Sequence, residues 1–261
     1  MNAGRAARAR HSSELVFSAG PAWLRPLVDN IDQVPEAFRR RLPPDVLAMV
    51  TAARSLPSAG DGREAAVLVL FSGPESGPAG GGVPDDVDLL LTVRASNMRN
   101  HAGQAAFPGG AADPGDDGPV ATALREAREE TGIDPARLHP LATMERTFIA
   151  PSQFHVVPVL AYSPDPGPVA VVNESETAIV ARVPLRAFIN PDNRLMVYRD
   201  GLGKRWAGPA FLLNEMLVWG FTGQVISAVL DVAGWAEPWD TSDLRELNEA
   251  TLLVRGSGGA R

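Results

Sequence analysis

Three carboxylates stand at helical spacing in the stretch ALREAREETGI, residues 123–133. Glu126, Glu129 and Glu130 occupy positions i, i+3 and i+4, so a helix brings them to one face, where like charges repel. Arg125 can pair with Glu129, but one arginine does not neutralise three carboxylates. A hard divalent cation, Mg²⁺ or Mn²⁺, takes oxygen ligands and commonly bridges to substrate phosphates. The pattern therefore predicts a metal site, and the alternative is a solvated acidic helix face.

The loop that precedes this helix favours the metal site. The stretch FPGGAADPGDD (107–117) carries two adjacent glycines, Gly109 and Gly110, directly before the approach to the helix. Because no side chain intervenes there, the backbone can come close to a metal ion or a phosphate. The glycine loop and the acidic helix together predict a functional site.

Gly110, Asp116 and the run REAREETGI (125–133) resemble the Nudix box, G-x5-E-x7-R-E-U-x-E-E-x-G-U, in which U is a bulky apolar residue. Three features depart from this pattern: Asp116 stands in place of the first glutamate, one extra residue follows it, and Ala127 is small for its apolar position. The positions that match outright are Arg125, Glu126, Glu129, Glu130, Gly132 and Ile133.

The resemblance implies an α+β Nudix fold, with a mixed β-sheet sandwiched between α-helices (α/β/α), and a metal-dependent pyrophosphohydrolase. It implies that Glu126, Glu129 and Glu130 are metal ligands and that the backbone carbonyl of Gly110 is a further ligand. Arg125 is then expected to orient a glutamate. The general base is one of the three glutamates or Glu176.

The segment LLTVRASNMRNHAGQAAFPGG (90–110) resembles an additional signature of the coenzyme A pyrophosphatase branch of this family. Further resemblance lies in VNESETAIVARVPL (172–185), where Glu176 completes an N-x-x-E pattern, and in LVWGFTG (217–223). The matching residues of the first segment are Leu90, Leu91, Thr92, Arg94, Arg99, His101, Gly103, Phe107, Pro108, Gly109 and Gly110.

This branch hydrolyses the pyrophosphate bridge of coenzyme A or an acyl derivative to 3′,5′-ADP and (acyl-)4′-phosphopantetheine. Arg94 and Arg99 are the candidate phosphate contacts, because guanidinium groups bind phosphate bidentately; the alternative is that both are surface arginines near a strand end. His101 either donates to a phosphate or braces the loop. His139 and His155 have no partner at ligand spacing and are expected to be structural.

Two other functions remain open at this stage. The first is a Nudix hydrolase of another nucleoside diphosphate derivative, such as ADP-ribose or NADH, which would use the same box. The second is a Nudix-like module that senses a nucleotide without cleaving it. Such modules usually lose metal-binding glutamates, and this chain retains all three.

Composition narrows the class of partner. The formal net charge of −7 gives no electrostatic footprint for nucleic acid, so a small nucleotide substrate is expected. With no cysteine, disulfides and thiolate metal ligands are excluded. The N-terminus lacks the apolar segment of a signal peptide and no segment reaches the length of a membrane span, so we expect a cytoplasmic protein. Monomer and homodimer both remain open.

The elements that must position the site follow from hydrophobic patterning. Residues 65–71 and 87–94 predict antiparallel strands, and a helix from Pro119 to Thr131 should stop at Gly132. Further strands are expected in 142–150, 154–163 and 177–185, then an apolar strand and a helix from Thr222 to Val232. The expected organisation is an N-terminal extension (1–62), disordered to about residue 12 and then helical, a Nudix domain (63–236) and a polar, loose C-terminal tail (237–261).

Overall fold

The computed structural model describes residues 20–42, 63–95, 103–149, 152–201, 204–214 and 216–257, together with positions 44, 47, 48 and 51. The disorder predicted up to residue 12, and most of residues 43–62 of the predicted helical extension, lie outside these residues.

The centre of the fold is an eight-stranded mixed sheet. Its main order is β3-β2-β1-β7-β5, and β8, β4 and β6 pair with β2, β1 and β7. β1 and β7 run parallel, whereas β1 and β2 pair antiparallel as predicted, with Phe71 opposite Leu89. The strands are β1 Arg63–Ser72, β2 Asp88–Arg94, β3 Ala105–Ala106, β4 Gly109–Ala111, β5 His139–Thr143, β6 Thr147–Ile149, β7 Phe154–Ser163 and β8 Thr177–Pro184.

Six α-helices lie wholly within the described ranges, and the separate described positions 44, 47, 48 and 51 are also helical. The six helices are α1 Arg25–Asp29, α2 Val34–Arg39, α3 Gly118–Thr131, α4 Leu185–Ile189, α5 Gly220–Val232 and α6 Leu247–Ser257. α1 and α2 confirm a helical segment before β1. Within the described residues, no helix is both long and apolar enough to cross a membrane.

Different layers cover the two faces of β1, because successive side chains of a strand point in opposite directions. Leu68 belongs to a buried cluster with Ala123 of α3. Phe71 belongs to a second cluster that includes Leu27 of α1 and Val229 of α5. The sheet therefore lies between helices, which confirms the predicted α+β Nudix fold with an α/β/α arrangement.

The helix that carries the glutamates has the predicted end. Gly132 adopts a left-handed conformation (φ 70°), and its N–H donates to the carbonyl of Arg128 at 2.9 Å. Glycine adopts this conformation without the steric cost that a Cβ atom brings. At the other end, Pro119 occupies the first turn, where its missing N–H costs nothing. These two residues set the length of α3.

A second, four-stranded sheet follows in the order β11-β10-β9-β12. β12 pairs parallel with β9, with Arg245 opposite Val197. The strands are β9 Arg194–Gly201, β10 Lys204–Leu213, β11 Met216–Val218 and β12 Leu244–Glu246.

The prediction of a loose tail after residue 236 is wrong. β12 and α6 are regular elements, and Leu247 and Ala250 of α6 are buried against Leu195 and Val197 of β9. Leu247, Ala250 and Val254 recur at i, i+3 and i+7, so the polar composition of the segment conceals one apolar face. That face is buried because the second sheet presents an apolar partner for it.

Candidate active site

Two glycines bring the backbone of β4 against its neighbours. β4 pairs antiparallel with β1, with Gly109 opposite Val67 and Gly110 opposite Ala66. A Cβ atom on Gly109 would meet the carbonyl oxygen of Ala66. A Cβ atom on Gly110 would lie 2.5 Å from Cδ of Glu126. Glycine is required at the first position because the backbone of the adjacent strand leaves no room, and at the second a Cβ atom would displace the carboxylate of Glu126.

Glu130 lies against the same loop. The N–H of Gly109 donates to Oε2 of Glu130 at 3.1 Å. Burial raises the pKa of Glu130 to about 7, and the hydrogen bond from Gly109 opposes this rise. The negative charges of Glu126 and Glu176 raise the pKa further, while the positive charge of Arg94 lowers it. A carboxyl group with a pKa near neutrality can take up or release a proton under ordinary conditions.

Glu126 is the second carboxylate at the loop, with a side chain that is 18% exposed. Burial raises its pKa, and the hydrogen bond and charge of Arg125 oppose that rise. Glu126 and Glu130 are thus two largely buried like charges beside one loop. A divalent cation would relieve their desolvation and repulsion, and an all-oxygen donor set is the kind that Mg²⁺ and Mn²⁺ prefer.

Arg125 lies between the glutamates and a fixed anchor. Its Nε donates to Oδ1 of Asp116 at 3.0 Å and its Nη2 donates to Oδ2 at 2.9 Å. Asp116 also accepts from the Asp113 N–H and the Thr122 hydroxyl, each at 2.9 Å. The hydrogen bonds from Arg125 hold the pKa of Asp116 well below its usual range. The side chain of Arg125 therefore has a fixed direction, because its partner is itself held from the loop and from α3.

The remaining guanidinium nitrogen of Arg125, Nη1, donates to two of the glutamates. Nη1 of Arg125 donates to Oε1 of Glu126 at 2.9 Å and to Oε2 of Glu129 at 3.1 Å. The Glu129 side chain is 51% exposed, unlike its two neighbours. In the described part of the chain, no three His, Asp or Glu side chains converge as a metal centre. The structure brings Glu126 and Glu130 together at the loop and places Glu129 beside Arg125.

Glu176 reaches the site from the turn before β8. The carbonyl of Glu176 accepts from the N–H of Ala95 at 2.8 Å, which ties the turn to the end of β2. The Asn173 side chain accepts from both the N–H and the hydroxyl of Ser175, so it closes the turn locally. Glu176 is among the charges that raise the pKa of Glu130. Its assignment as a site residue stays a prediction of the N-x-x-E pattern.

Arg94 is the last residue of β2 and lies near the carboxylates, since its positive charge lowers the pKa of Glu130. Its Nε is buried and has no hydrogen-bond partner among the described residues. Arg99 and His101, the other predicted phosphate contacts, lie outside the described residues.

The remaining predicted positions have structural surroundings. His155 stacks against Phe148 with ring centroids 5.0 Å apart. Trp219 packs on Trp206 at 5.9 Å. A Cβ atom on Gly220, where α5 begins with φ 67°, would come within 3.0 Å of the Gln104 amide. The contact of His155 agrees with the expectation that it is structural, and Trp219 and Gly220 also pack against neighbouring residues.

Sequence reasoning left the contribution of Asp116 undecided and did not assign Thr122 or the N–H of Gly109. An acidic side chain at the first position of the box was visible, but its eight-residue spacing to Arg125 departed from the family pattern. Only the folded loop shows that this spacing still allows a bidentate contact.

The part of the chain that contains this site also matches a known protein family. The NUDIX domain family profile matches residues 63–199. "Uncharacterized Nudix hydrolase NudL" of Yersinia pestis (strain Pestoides F) is 35% identical over 144 residues, which cover 53% of this chain and 68% of that protein. The crystal structure of the Nudix hydrolase RenU from M. smegmatis is 26% identical and covers 48% of this chain and 71% of its own, with a TM-score of 0.37. The crystal structure of a NUDIX hydrolase from Alicyclobacillus acidocaldarius is 24% identical, and the match covers 51% of this chain and 83% of that chain, with a TM-score of 0.38.

Proposed function

The chain belongs to the Nudix family, and we propose that its reaction is hydrolysis of the pyrophosphate bond of coenzyme A or of an acyl-coenzyme A. Family membership makes the protein a hydrolase that acts on phosphoric anhydride bonds of a nucleoside diphosphate derivative. The narrower substrate is the proposal. Its products would be 3′,5′-ADP and 4′-phosphopantetheine or the acylated form.

The residues at the glycine loop fit a divalent cation, Mg²⁺ or Mn²⁺. We propose that Glu126, Glu129 and Glu130 hold it, with the backbone carbonyl of Gly110 as a further ligand. When bound, such an ion neutralises phosphate oxygens and lowers the pKa of the attacking water. The crowding of Glu126 and Glu130 against the loop supports this assignment, because burial and mutual repulsion raise the pKa of Glu130 and an added positive charge would relieve both.

Arg125 acts on the site through other residues. Its contacts to Asp116 fix the guanidinium, and Nη1 then holds Glu126 and Glu129 in a set direction. We propose it as a positioning residue, since its partners are Asp116, Glu126, Glu129 and the carbonyl of Ala111.

The proton of the attacking water needs an acceptor near the phosphorus. Glu130, with a pKa of about 7, and Glu176, which faces the same group of charges, are the two candidates. Water attacks one phosphorus in line, the bridging P–O bond breaks, and the departing phosphate keeps the electron pair.

Arg94 is proposed to contact a substrate phosphate. A guanidinium group with an unfilled buried nitrogen beside two carboxylates can bind a phosphate that those carboxylates alone would repel. Arg99 and His101 are proposed to extend this contact on the strength of the sequence pattern alone.

One observation carries the choice of coenzyme A. The segment 90–110, with its LLTxR, HxG and FPGG pattern, resembles the coenzyme A pyrophosphatase signature, and Arg94 of that segment lies beside the proposed metal site. A hydrolase of ADP-ribose or NADH would need the box but not this segment. A nucleotide-sensing module would need neither the three glutamates nor the anchored Arg125. A cytoplasmic location belongs to the same proposal.

The test is a product assay. The purified chain is incubated with Mg²⁺ or Mn²⁺ and, in separate reactions, coenzyme A, acetyl-coenzyme A, ADP-ribose and NADH, and products are identified by mass spectrometry. Release of 3′,5′-ADP that EDTA suppresses supports the proposal. AMP from ADP-ribose or NADH, with coenzyme A intact, would retain the site and reject the substrate. Turnover of none of the four would favour a binding module.

A further inference from the structure

A buried arginine lies in the second sheet, away from the glutamates. Arg194, the first residue of β9, is 4% exposed. Its Nη2 donates to the hydroxyl of Ser227 on α5 at 3.0 Å. Its Nε and Nη1 are buried and have no hydrogen-bond partner among the described residues. A buried charge is costly unless it is paired and hydrogen-bonded, so these donors indicate an acceptor that the chain itself does not supply there.

Two aromatic rings pack against the guanidinium of Arg194 but do not provide hydrogen-bond acceptors in the plane of its N–H groups. Its Cζ lies 4.6 Å from the ring centroid of Trp239 and 5.4 Å from that of Phe211. Ring faces attract the cation, but the N–H bonds lie in the guanidinium plane. The rings therefore leave Nε and Nη1 of Arg194 buried and without an oxygen acceptor among the described residues.

The charges around Arg194 are unbalanced. Asp231, one helical turn after Ser227 on α5, forms an ion pair with Arg41. The guanidinium of Arg41 lies 6.0 Å from the centroid of the same Trp239 ring. Two guanidinium groups thus share one carboxylate. Burial lowers the pKa of Arg194 to about 10, the charge of Arg41 lowers it further, and Asp231 opposes this.

A cleft opens beside this group. Its volume is about 480 Å³, which exceeds many times the space of about 30 Å³ that one water occupies in the liquid. Gln224, one turn before Ser227, is 1% exposed, and neither polar atom of its amide has a hydrogen-bond partner in the described part of the chain. The residues that line the cleft are Gln33, Ala37, Arg40, Arg41, Asp231 and Val232.

We propose that Arg194, Arg41 and Ser227 form a second binding site, for a small oxyanion of the phosphate or phosphomonoester class. The anion would enter the cleft that Arg41 and Asp231 line and compete with Asp231 for Arg41. It would also accept from Nε or Nη1 of Arg194, which is buried next to this pair and does not itself line the cleft. Planar guanidinium groups suit a phosphate because they donate two parallel hydrogen bonds to it. This site lies between α5 and the second sheet, whereas the glutamates project from α3, so it does not depend on the proposed catalytic function.

The experiment measures phosphate binding to the full metal-free chain in EDTA. Inorganic phosphate is titrated by calorimetry at constant ionic strength, with chloride as the replaced anion. Saturable binding is expected in the wild type, and Arg194→Met should weaken it by about tenfold or more, the order of one charge-assisted hydrogen bond. The matched variant Arg205→Met, at an exposed arginine of the same sheet that pairs with Asp200, should leave this binding unchanged. Arg94→Met, at the proposed substrate contact, identifies any phosphate that binds at the glutamate site instead.

The variant Asp231→Asn should change phosphate affinity in the opposite direction. It removes the competing carboxylate, so phosphate should bind at least about threefold more tightly if the two arginines share the anion. Should Arg194→Met fail to fold, Arg194→Lys retains the charge without the planar fork and is expected to weaken binding. The proposal is overturned if phosphate binds no better than chloride, if Arg94→Met abolishes binding while Arg194→Met does not, or if Asp231→Asn weakens it.

Discussion

Asp116 and Arg125 form a bidentate ion pair between the glycine loop and α3, with donor–acceptor distances of 3.0 and 2.9 Å. The same guanidinium donates from Nη1 to Glu126 and Glu129. The direction of two proposed metal ligands therefore depends on Arg125, which we propose as a positioning residue.

Substitution of Asp116 tests this dependence. Asp116→Asn removes the charge that fixes Arg125, and we expect kcat/KM to fall about 10- to 100-fold, the order seen for residues that orient metal ligands. Steady-state kinetics at several Mg²⁺ concentrations measure the effect. Asp113→Asn is the matched control, because its side chain is 66% exposed and lies 3.8 Å from Arg125. Equal loss in both variants would contradict the anchoring role.

A methyl group on Gly110 should disturb the site directly. Gly110→Ala places its Cβ atom 2.5 Å from Cδ of Glu126, so the carboxylate must move. We expect weaker metal activation, measured as a higher Mg²⁺ concentration for half-maximal rate. Gly115→Ala is the control in the same loop, because its added Cβ atom meets no atom within 4 Å. An unchanged metal requirement in Gly110→Ala would show that Glu126 has room to adapt.

Glu129 tests the metal site with little risk to the fold. Its side chain is 51% exposed, so Glu129→Gln should change the free energy of unfolding by no more than about 0.5 kcal/mol. Turnover should fall at least about 100-fold, as expected when charge stabilisation in an active site is lost. Urea unfolding and the product assay give the two values. Persistent turnover would show that the proposed metal site is wrong.

Stability of the metal-free protein should depend on pH through Glu130. Its pKa rises from 4.5 in the unfolded chain to about 7 in the folded chain. Below pH 4.5 both states are protonated, whereas between pH 4.5 and 7 the unfolded chain loses the proton first. The free energy of unfolding therefore falls as pH rises through this window and is constant above it.

The variant Glu130→Gln should not show this pH-dependent decrease in the free energy of unfolding. Between pH 5 and pH 8 in EDTA, we expect the wild type to lose about 2 kcal/mol relative to the variant. Urea unfolding at both pH values measures the difference. The unfolding free energy of Glu174→Gln, at an exposed position in the turn before β8, should follow that of the wild type at both pH values. A wild-type curve parallel to that of Glu130→Gln would contradict the buried, charged state of Glu130.

Glu176 and Glu174 form a matched pair for the general base. Both are exposed and acidic, and Glu176 is among the main charges that act on Glu130. If Glu176 takes the proton, Glu176→Gln should lower kcat by about 100-fold or more and remove the acidic limb of the pH profile. Glu174→Gln should remain near the wild-type rate. A wild-type kcat in Glu176→Gln would assign the base to Glu130 instead.

Local features of this chain could be predicted from the sequence. The helix of residues 118–131 ends where Gly132 permits a left-handed turn, and β1 and β2 pair antiparallel across a Gly-rich loop. Such features depend on near neighbours along the chain, through helical spacing and turn chemistry. The prediction of a single strand over 142–150 is wrong, because the chain interrupts it between Thr143 and Thr147.

The tertiary structure decided what depends on distant partners. The parallel pairing of β1 with β7 joins residues separated by about ninety positions, and no local pattern specifies it. The burial of α6 requires the apolar surface of β9. The sequence by itself determined which glutamates share a helix face. Only the fold decided that Asp116 anchors Arg125 and that Arg194 is buried with open donors, because burial and long-range charge arise when separate elements pack together.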